Sequence, residues 1–534
     1  MSKNLREWEK TKHAYTGWLA NTELRLIFSN SITFKNLSIW WITKLIDKDT
    51  VLNNEWYVEL NSIVNNKKKF IKKEKKLFFF VFKVIRKFIS NIIFVSMIKI
   101  FYHNKNKDNL KKINCFYSFY ENIVYFKKNS LDRQFGLAPI KNKKINSYLI
   151  QFQTNYKIFF KQNEHKKKLL QLGADYFILN RYISIKNIII IYLQTFFLLF
   201  KLILILRKKN FFIIKGKDCS SVLKPLLIES FFGDIQDSLL NGLAVKNFLK
   251  KNNYKNFINY IEFFSGSRSI YHFIKSNASH PKIITIQHAI YSNNILPYFL
   301  VKKEFCNDND SLFYSPKPDI FFTQGTKYLK ALKKIFPNNK IHVVGSFKLD
   351  LANFKFNKSL IKKKVYKSEK KIKQKKIISI CTAINDERNI INFLNKCDLS
   401  NFLVIICPHP YYKKQSIMKF ENYFKYNFKI FENLSTREII SISDFVICGY
   451  SSVGFEALLN KTKVIRLLDD SFPLNYDLND GIRVIKDYKK LNTYLSKKFS
   501  FSKSFTKKIE KRFFYKFDNK THLRFWSILK RNFI

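Results

Sequence analysis

Short apolar runs alternate with amphipathic stretches from about residue 211 onward, the pattern of an α/β protein with parallel sheets. A lysine-rich stretch at 354–376 divides this pattern into two series and predicts a linker. The predicted strands are 256–264, 283–287, 319–323 and 341–345 in the first series, with a weaker pair at 113–126 and 146–153, and 377–381, 402–407, 427–431, 444–448 and 463–467 in the second. Helices are predicted at 267–276, 326–335, 435–442 and 452–460. The chain is therefore expected to hold two α/β domains with a hinge near 345–376.

Two longer apolar runs precede this pattern. The first, 77–102, contains Lys83, Arg86 and further cations, and predicts an amphipathic helix on a core or on an anionic surface. The second, 188–206, is nearly long enough for a membrane span, but it contains Lys201 and has basic residues on both sides. We expect a buried or interfacial helix there, in preference to a membrane span.

The net charge of the chain adds a functional prediction only for its first 210 residues. Lys and Arg number 97 against 39 Asp and Glu, a formal charge of +58, while a hydrophobic content of 46% and 10 Pro exclude a disordered chain. Lys, Asn, Ile and Phe are all abundant, as A/T-rich codons would produce, and we expect no specific nucleic-acid partner. In the first 210 residues, charge and apolar runs together predict attachment to an anionic membrane surface.

The cysteines and the first residues of the chain indicate in which cellular compartment the protein is expected. Seven cysteines are scattered without a CxxC motif or zinc-ligand spacing, which suits a reducing compartment and predicts no metal site. The first residues are polar and lack the apolar core of a signal peptide. We expect a cytoplasmic protein, peripheral on the cytoplasmic face of the inner membrane.

The strongest candidate for a binding site lies where a predicted strand runs into Gly449-Tyr450-Ser451-Ser452 and then into a helix. Gly449 permits close approach of a ligand to the backbone. The hydroxyls of Ser451 and Ser452, with the free N–H groups of the helix start, suit a phosphate group. Glu456 follows about one turn later, where it could reach a ribose hydroxyl. The alternative is that one of the serines merely caps the helix.

Two histidines follow predicted strands. Pro408 and Pro410 stiffen the turn around His409 and hold it at the carboxyl edge of a sheet, where open α/β sheets bind ligands. A histidine there can donate to a phosphate oxygen or protonate a leaving group. His288 holds the same position in the first series, so the two would face each other across a cleft; either could instead be structural. Glu262, at the end of strand 256–264, is a weaker candidate for a general base.

Several motifs are absent from the sequence. It contains no GxxxxGK[ST] loop, DxD pair, HExxH or GxSxG. These absences argue against a P-loop NTPase, a metal-chelating glycosyltransferase of the DxD type, a zincin and a serine hydrolase.

PHP at 408–410 and the block STREIISISDFVICGYSSVGFEALLNKTKVI at 435–465 resemble the C-terminal half of GT-B glycosyltransferases of bacterial surface carbohydrates. They are most similar to the sialyltransferase and polysialyltransferase group with its HP and paired-Ser motifs, and also to capsule Kdo transferases and CDP-glycerol glycerophosphotransferases. QHA at 287–289 resembles the QHG motif of such proteins, and 317–346 resembles their passage between domains. The resemblance covers roughly 255–490.

The resemblance implies an α/β, GT-B-like fold: two Rossmann-like domains with parallel sheets that face each other across a cleft, preceded by a basic, aromatic-rich region with apolar helices. The expected division is an N-terminal region at 1–110, an acceptor domain at 111–345 with an apolar helical insertion at 186–209, a nucleotide-sugar-binding domain at 346–504 and a helical tail at 505–534.

The resemblance also implies roles for the residues above. His409, next to Pro408, would contact the donor phosphate and help the nucleotide leave, Ser451 and Ser452 would bind that phosphate, Glu456 would contact the ribose, and His288 would lie near the acceptor. The donor would be a nucleotide-sugar, with CMP- and CDP-linked sugars as candidates, and no metal or other cofactor is expected. The acceptor would be a glycan or a lipid-linked glycan.

In the sialyltransferases an acidic pair followed by Gly supplies the general base. Here Asp386-Glu387 is followed by Arg388, so the general base stays unassigned. The function expected is a metal-independent glycosyltransferase of capsule or lipopolysaccharide biosynthesis. Open alternatives are a nucleotide-sugar 2-epimerase, a CDP-glycerol-type glycerophosphotransferase, or, in another class, a non-catalytic basic protein that binds membrane or nucleic acid.

Overall fold

The computed structural model describes residues 3–47, 55–66, 77–104, 112–126, 129–291, 300–305, 310–350, 356–367, 375–383, 386–409, 413–449, 451–467, 482–496 and 503–533. The strands of these residues are, in chain order, β1 (Thr33–Phe34), β2 (Leu37–Ser38), β3 (Asn114–Phe119), β4 (Ile123–Phe126), β5 (Asn129–Asp132), β6 (Asn146–Gln151), β7 (Asp175–Ile178), β8 (Ile213–Ile214), β9 (Lys217–Asp218), β10 (Asn256–Asn259), β11 (Lys282–Ile286), β12 (Ile320–Thr323), β13 (Ile341–Val343), β14 (Lys376–Cys381), β15 (Phe402–Cys407), β16 (Phe428–Lys429), β17 (Phe445–Cys448), β18 (Lys463–Leu467) and β19 (Arg483–Ile485).

The α-helices of the same residues are α1 (Lys3–Asn21), α2 (Glu23–Ser31), α3 (Lys44–Asp47), α4 (Glu55–Val64), α5 (Leu77–Phe101), α6 (Ala138–Lys141), α7 (Lys157–Phe160), α8 (Gln162–Leu170), α9 (Ile185–Lys208), α10 (Ser220–Ser230), α11 (Asp234–Lys251), α12 (Ser265–Lys275), α13 (Leu329–Leu332), α14 (Phe347–Asp350), α15 (Lys358–Lys367), α16 (Glu387–Leu394), α17 (Lys413–Tyr423), α18 (Thr436–Ile442), α19 (Val453–Leu459), α20 (Tyr488–Ser496), α21 (Lys503–Phe513) and α22 (Thr521–Phe533).

Two parallel sheets form the framework. The first has seven strands in the order β13-β12-β11-β10-β3-β6-β7, and the second has six in the order β16-β15-β14-β17-β18-β19. Every pairing within both sheets is parallel. The apolar strands are buried on both faces because helices cover both faces, as parallel sheets require. The predicted α/β fold with two parallel sheets is confirmed.

Three sequence predictions differ from the structure in detail. The strand predicted at 256–264 ends at Asn259, whose side chain Oδ1 accepts a hydrogen bond from the backbone N of Ile261 at 3.2 Å and turns the chain. Part of the linker predicted at 354–376 is helical, since α15 buries Ile361 and Val365, one turn apart, in the second core.

The third difference concerns the helix predicted at 326–335. It is a 3₁₀ turn at Thr326–Tyr328 followed by α13. Strands β7 and β19, which extend the two sheets at their edges, were not predicted.

The N-terminal helices share a core with one face of the first sheet. Trp40 and Trp41 are completely buried in the same apolar cluster as Cys115 and Tyr117 of β3. The hydroxyl of Tyr15 donates to the carbonyl of Leu45 at 2.8 Å within this core. The aromatic residues near the start of the chain are therefore core residues.

The two predicted apolar helices are α5 and α9. In α9 one stripe of side chains packs inward while the opposite face leaves large apolar side chains exposed, and Lys201 is exposed as well. Among the described helices, α9 is the one long and apolar enough to cross a membrane, and 33% of its most apolar stretch is buried against the protein. The amide of Asn91 on α5 donates to the hydroxyl of Tyr192 on α9 at 3.0 Å.

The segment between the sheets, Gly345–Asp350, is anchored in both domains. Phe347 lies in the core of the first sheet, against Phe525 of α22, whereas Leu349 lies in a core of the second sheet. Asp350 accepts a hydrogen bond from the hydroxyl of Thr521 at 2.9 Å, at the start of α22. Helix α22 thus fixes the point where the chain passes from one domain to the other.

We expect the packing of α22 against the first domain to contribute strongly to the free energy of unfolding of that domain. Trp526 is 5% exposed and its indole N–H donates to the carbonyl of Ala138 at 3.0 Å. Trp526→Ala should lower the free energy of unfolding by about 3–5 kcal/mol, measured in urea by circular dichroism, because it leaves a cavity and an unpaired carbonyl.

Leu523→Ala on the same helix is the matched control, since Leu523 is 54% exposed, and should change stability by less than about 0.5 kcal/mol. Equal effects of the two substitutions would contradict the docking of α22.

Candidate functional site

The carboxyl ends of the strands carry the candidate residues. His288 follows β11 in the first sheet, His409 follows β15 in the second, and Gly449 follows β17. Because all strands of each sheet are parallel, these loops lie at one edge of each sheet, where α/β proteins bind ligands.

Glu262 and His288 form a directly bonded pair. One carboxylate oxygen of Glu262 accepts the backbone N–H of His288 at 3.0 Å and lies 2.9 Å from the ring Nδ1. The Glu262 side chain is 1% exposed and that of His288 is 26% exposed. A ring whose Nδ1–H donates to a carboxylate carries its acceptor at Nε2, so this pair can take up a proton.

The backbone holds Glu262 in an unusual conformation. Its φ is 45°, in the left-handed region that a glutamate rarely adopts. Its carbonyl accepts hydrogen bonds from the hydroxyls of Tyr271 at 2.8 Å and Ser267 at 2.9 Å, both on α12. The sequence prediction placed Glu262 at the end of a strand, and this is wrong; it lies in the loop after β10, and α12 fixes its orientation.

Lys348, on α14 between the domains, was missed by the sequence analysis. Its ammonium nitrogen lies 3.5 Å from the carbonyl of His288, and its own carbonyl accepts from the guanidinium of Arg437 at 3.4 Å. Burial, then the nearby charge of Arg133, lowers the pKa of Lys348 to about 8, against an opposing effect of Glu456. The residue therefore touches elements of both domains.

Glu456 is paired with Arg437. The guanidinium Nε of Arg437, on α18, lies 2.8 Å from a carboxylate oxygen of Glu456, on α19. Their side chains are 28% and 15% exposed. The contact of Glu456 with a ribose stays a prediction, and the ion pair fixes the carboxylate at the site.

Cations from both domains affect the pKa of His409. Its backbone N–H donates to the hydroxyl of Thr382 at 3.1 Å. Burial lowers the pKa of His409, as do Arg133 of the first domain and Lys348, while Glu387 opposes them. The ring is therefore mainly neutral at pH 7, and Pro408 before it is half-buried.

Gly449 is required by close packing. A Cβ there would lie 2.5 Å from a carboxylate oxygen of Asp386, and the Gly449 carbonyl accepts from the buried guanidinium of Arg466 at 2.9 Å. Two side chains thus shape this loop: Arg466, which the sequence analysis missed, and Asp386, which it named only as part of the acidic pair with Glu387.

The paired serines differ in environment. Ser451 Oγ accepts from the backbone N of Val453 at 3.4 Å, whereas Ser452 is exposed and its hydroxyl makes no capping bond to α19. The capping alternative therefore does not account for Ser452. Tyr450 lies outside the described residues.

The structure brings the two predicted histidines to one site around Lys348. Arg133 and Arg437 complete it, and neither stood out because a chain with 97 Lys and Arg offers many cations. The signal that could have found Lys348 is its place in the short segment after the last strand of the first sheet, at the predicted hinge. Among the described residues, no group of three His, Cys, Asp or Glu side chains is placed to hold a metal ion.

No protein-family model and no curated protein matches the chain. Among solved structures it is similar to the UDP-GlcNAc 2-epimerase from Neisseria meningitidis bound to UDP-GlcNAc, with 12% identity over 79% of this chain and 100% of that chain and a TM-score of 0.43. It is also similar to the wall teichoic acid polymerase TagF, with 12% identity over 86% and 99% of the two chains and a TM-score of 0.41. A third is S. aureus MnaA in a co-structure with UDP, at 10% identity over 79% and 98% and a TM-score of 0.43. At these identities the likeness carries no argument about substrate.

Removing a positive charge from one domain should shift the pKa of a histidine in the other. Arg133→Gln removes the largest electrostatic cause of the lowered pKa of His409, so the protonated ring becomes more favourable and the pKa should rise. NMR titration of the histidine ring signals between about pH 5 and 8 measures this shift.

The control is Arg388→Gln, an exposed arginine of the same domain as His409, which should leave the His409 titration unchanged. A His409 titration that does not respond to Arg133→Gln would contradict the juxtaposition of the two sheet edges.

Proposed function

We propose that the chain is a glycosyltransferase that moves a sugar from a nucleotide-sugar donor to a glycan acceptor of the bacterial cell surface. The observation that carries this proposal is a histidine oriented by a buried carboxylate, His288 with Glu262, beside a cluster of cations from both domains around Lys348. A metal-independent sugar transfer requires a base for the acceptor hydroxyl and a group of donors that stabilises the departing phosphate.

The cation cluster suits the phosphates of the donor. Burial is the largest cause of the lowered pKa of Lys348, and Arg133 and Arg437 repel its ammonium group, while Glu456 and Asp132 act in the opposite direction. A bound diphosphate would relieve this repulsion through charge-assisted hydrogen bonds. It would also raise the pKa of His409, which lets the ring donate a proton to the departing phosphate.

The second domain supplies the remaining donor contacts. Ser451, Ser452 and the N–H groups at the start of α19 are proposed to bind a phosphate oxygen, with Gly449 allowing the ligand to approach the backbone. Glu456, held by Arg437, is proposed to accept from a ribose hydroxyl. CMP- and CDP-linked sugars remain the candidate donors.

His288 is proposed as the general base. Its Nε2 takes the proton of an acceptor hydroxyl as that oxygen attacks the anomeric carbon of the donor sugar, and Glu262 stabilises the imidazolium that forms. The bond from the anomeric carbon to the phosphate oxygen breaks, and its electron pair leaves with the nucleotide. Lys348, Arg437 and His409 stabilise the charge on that phosphate.

A panel of CMP-, CDP-, UDP- and GDP-linked sugars tests the donor site by thermal unfolding. One nucleotide class should stabilise the protein, by about 2.7 kcal/mol at ~100 times its dissociation constant. Lys348→Met should reduce this stabilisation because it removes a phosphate contact. Glu262→Gln and His288→Ala should preserve it and lower sugar transfer about 10²–10⁴-fold, since they affect the base.

His280→Ala, an exposed histidine of the same domain, is the control and should change neither readout. Conversion of a UDP-linked sugar without any acceptor would instead establish the epimerase alternative. Polyanion binding that survives His409→Ala combined with Ser451→Ala, with no nucleotide response, would establish the non-catalytic alternative.

We also propose that the protein lies peripherally on the cytoplasmic face of the inner membrane through α5 and α9. Both helices expose large apolar side chains between 49% and 68% accessible: Phe82, Ile85, Ile89, Phe196, Phe197 and Phe200. Exposed cations, Lys83, Arg86 and Lys201, lie on the same two helices. An apolar surface with cationic neighbours suits an anionic bilayer, and it would bring a lipid-linked acceptor to the enzyme.

Flotation with vesicles containing anionic phospholipid tests this attachment. Phe196→Glu combined with Phe200→Glu should lower the bound fraction about tenfold or more, because two apolar side chains no longer enter the bilayer. Met418→Glu with Tyr423→Glu is the matched control on α17, where both residues are at least 51% exposed, and should have little effect. Equal binding by both double variants would exclude this membrane-facing surface.

A further inference from the structure

A second basic site lies apart from the cation cluster around Lys348. A cavity of about 660 Å³ opens between α1, the segment after β12 and α21, and neither His409 nor Glu456 lines it. Seven of its twelve lining residues are Lys or Arg, and none of the twelve is Asp or Glu. At the frequency of Lys and Arg in the whole chain, twelve residues would hold about two.

Close packing builds the cavity. A Cβ on Gly325 would lie 2.4 Å from the carbonyl oxygen of Arg512, so only glycine lets the end of α21 approach the loop after β12. The ammonium of Lys327 and the guanidinium of Arg512 both lie near the ring of Phe513, at 4.8 Å and 5.6 Å from its centre. The cations of two distant segments are thus held on one concave wall.

Four other lysines present their ammonium groups to solvent, where a ligand can reach them. Lys330, Lys334, Lys508 and Lys511 are exposed and converge on the cavity from two elements. On the α1 side, burial and then Lys12 lower the pKa of His13, and Lys334 acts in the same direction against an opposing effect of Glu9. The cavity therefore has a positive potential that one carboxylate does not cancel.

The cavity adjoins the loop of the proposed base. Tyr291 lines it, three residues after His288, and stacks on Tyr328 of the turn after β12 with ring centres 4.4 Å apart. A ligand chain bound in the cavity could therefore continue toward His288.

We propose that this cavity binds an oligomer carrying at least two phosphate or carboxylate groups, and that the oligomer is the anionic part of the acceptor. The assignment to the acceptor rests on the proposed function, whereas the binding of the oligoanion does not. Lysine side chains bind such groups as point charges, so a chain with spaced negative groups fits better than a single phosphate. The volume is in the range that holds a small organic ligand.

Calorimetric titration of the full chain with trigalacturonate, inorganic tripolyphosphate and uncharged maltotriose tests this proposal. The variant Lys330→Gln/Lys334→Gln/Lys511→Gln should bind the two anionic probes at least about tenfold more weakly than the wild type, and maltotriose should bind to neither. Tighter binding of trigalacturonate than of tripolyphosphate supports a glycan as the occupant. The reverse order supports an oligomer whose negative groups are phosphates.

The matched control removes the same charge elsewhere. Lys362→Gln/Lys363→Gln/Lys364→Gln changes three exposed lysines of α15 and should bind the anionic probes within about twofold of the wild type. Equal weakening by both triple variants would mean that net charge alone attracts the probes, and would overturn the proposal. Loss of the nucleotide-induced stabilisation in the cavity variant would also overturn it, because the cavity would then belong to the donor site. Probe binding without any nucleotide response would overturn the proposed function and leave the cavity standing.

Discussion

The position of Lys348 depends on its two neighbours. Phe347 is buried in the core of the first sheet and Leu349 in a core of the second, so the residue between them is held where the two domains meet. Gly345, with a φ of 106°, and Asp350 bracket the segment, and both lie against Thr521 at the start of α22. This double anchorage fixes the position of Lys348 relative to both sheets.

The electrostatics of the cleft follow from that anchorage. Arg133 comes from the first domain and Arg437 from the second, yet both depress the pKa of Lys348. Burial is the largest cause of that lowered pKa, while Glu456 and Asp132 oppose it, and an anionic ligand beside the ammonium group would favour its charged form. The Glu262–His288 pair lies beside this cluster, and a carboxylate oxygen of Glu262 at 2.9 Å from Nδ1 of His288 orients the ring.

The framework could be predicted because the strands of a parallel sheet are buried on both faces and therefore form continuous apolar runs in the sequence. The predicted strands at 377–381 and 402–407 correspond closely to β14 and β15. The two histidines were found because they follow such runs directly. Strands β7 and β19, of four and three residues, were missed. Their short length does not explain this, because β13 and β16 are as short, form the opposite edges of the two sheets and were predicted.

Side-chain partnerships were harder to predict. The bond between Glu262 and His288 depends on a left-handed residue and on α12, and no spacing in the sequence encodes it. Lys348 and Arg133 are two of 97 basic residues, and only the fold distinguishes them from the rest.

The central claim is that the two sheet edges form one nucleotide-sugar site around Lys348. An experimental structure with the stabilising nucleotide-sugar bound tests it most directly. The account predicts the donor phosphates within hydrogen-bond distance of Lys348 Nζ, and the sugar between His288 and His409. A nucleotide bound outside this cleft, or held by one domain without contact to Lys348, would contradict it.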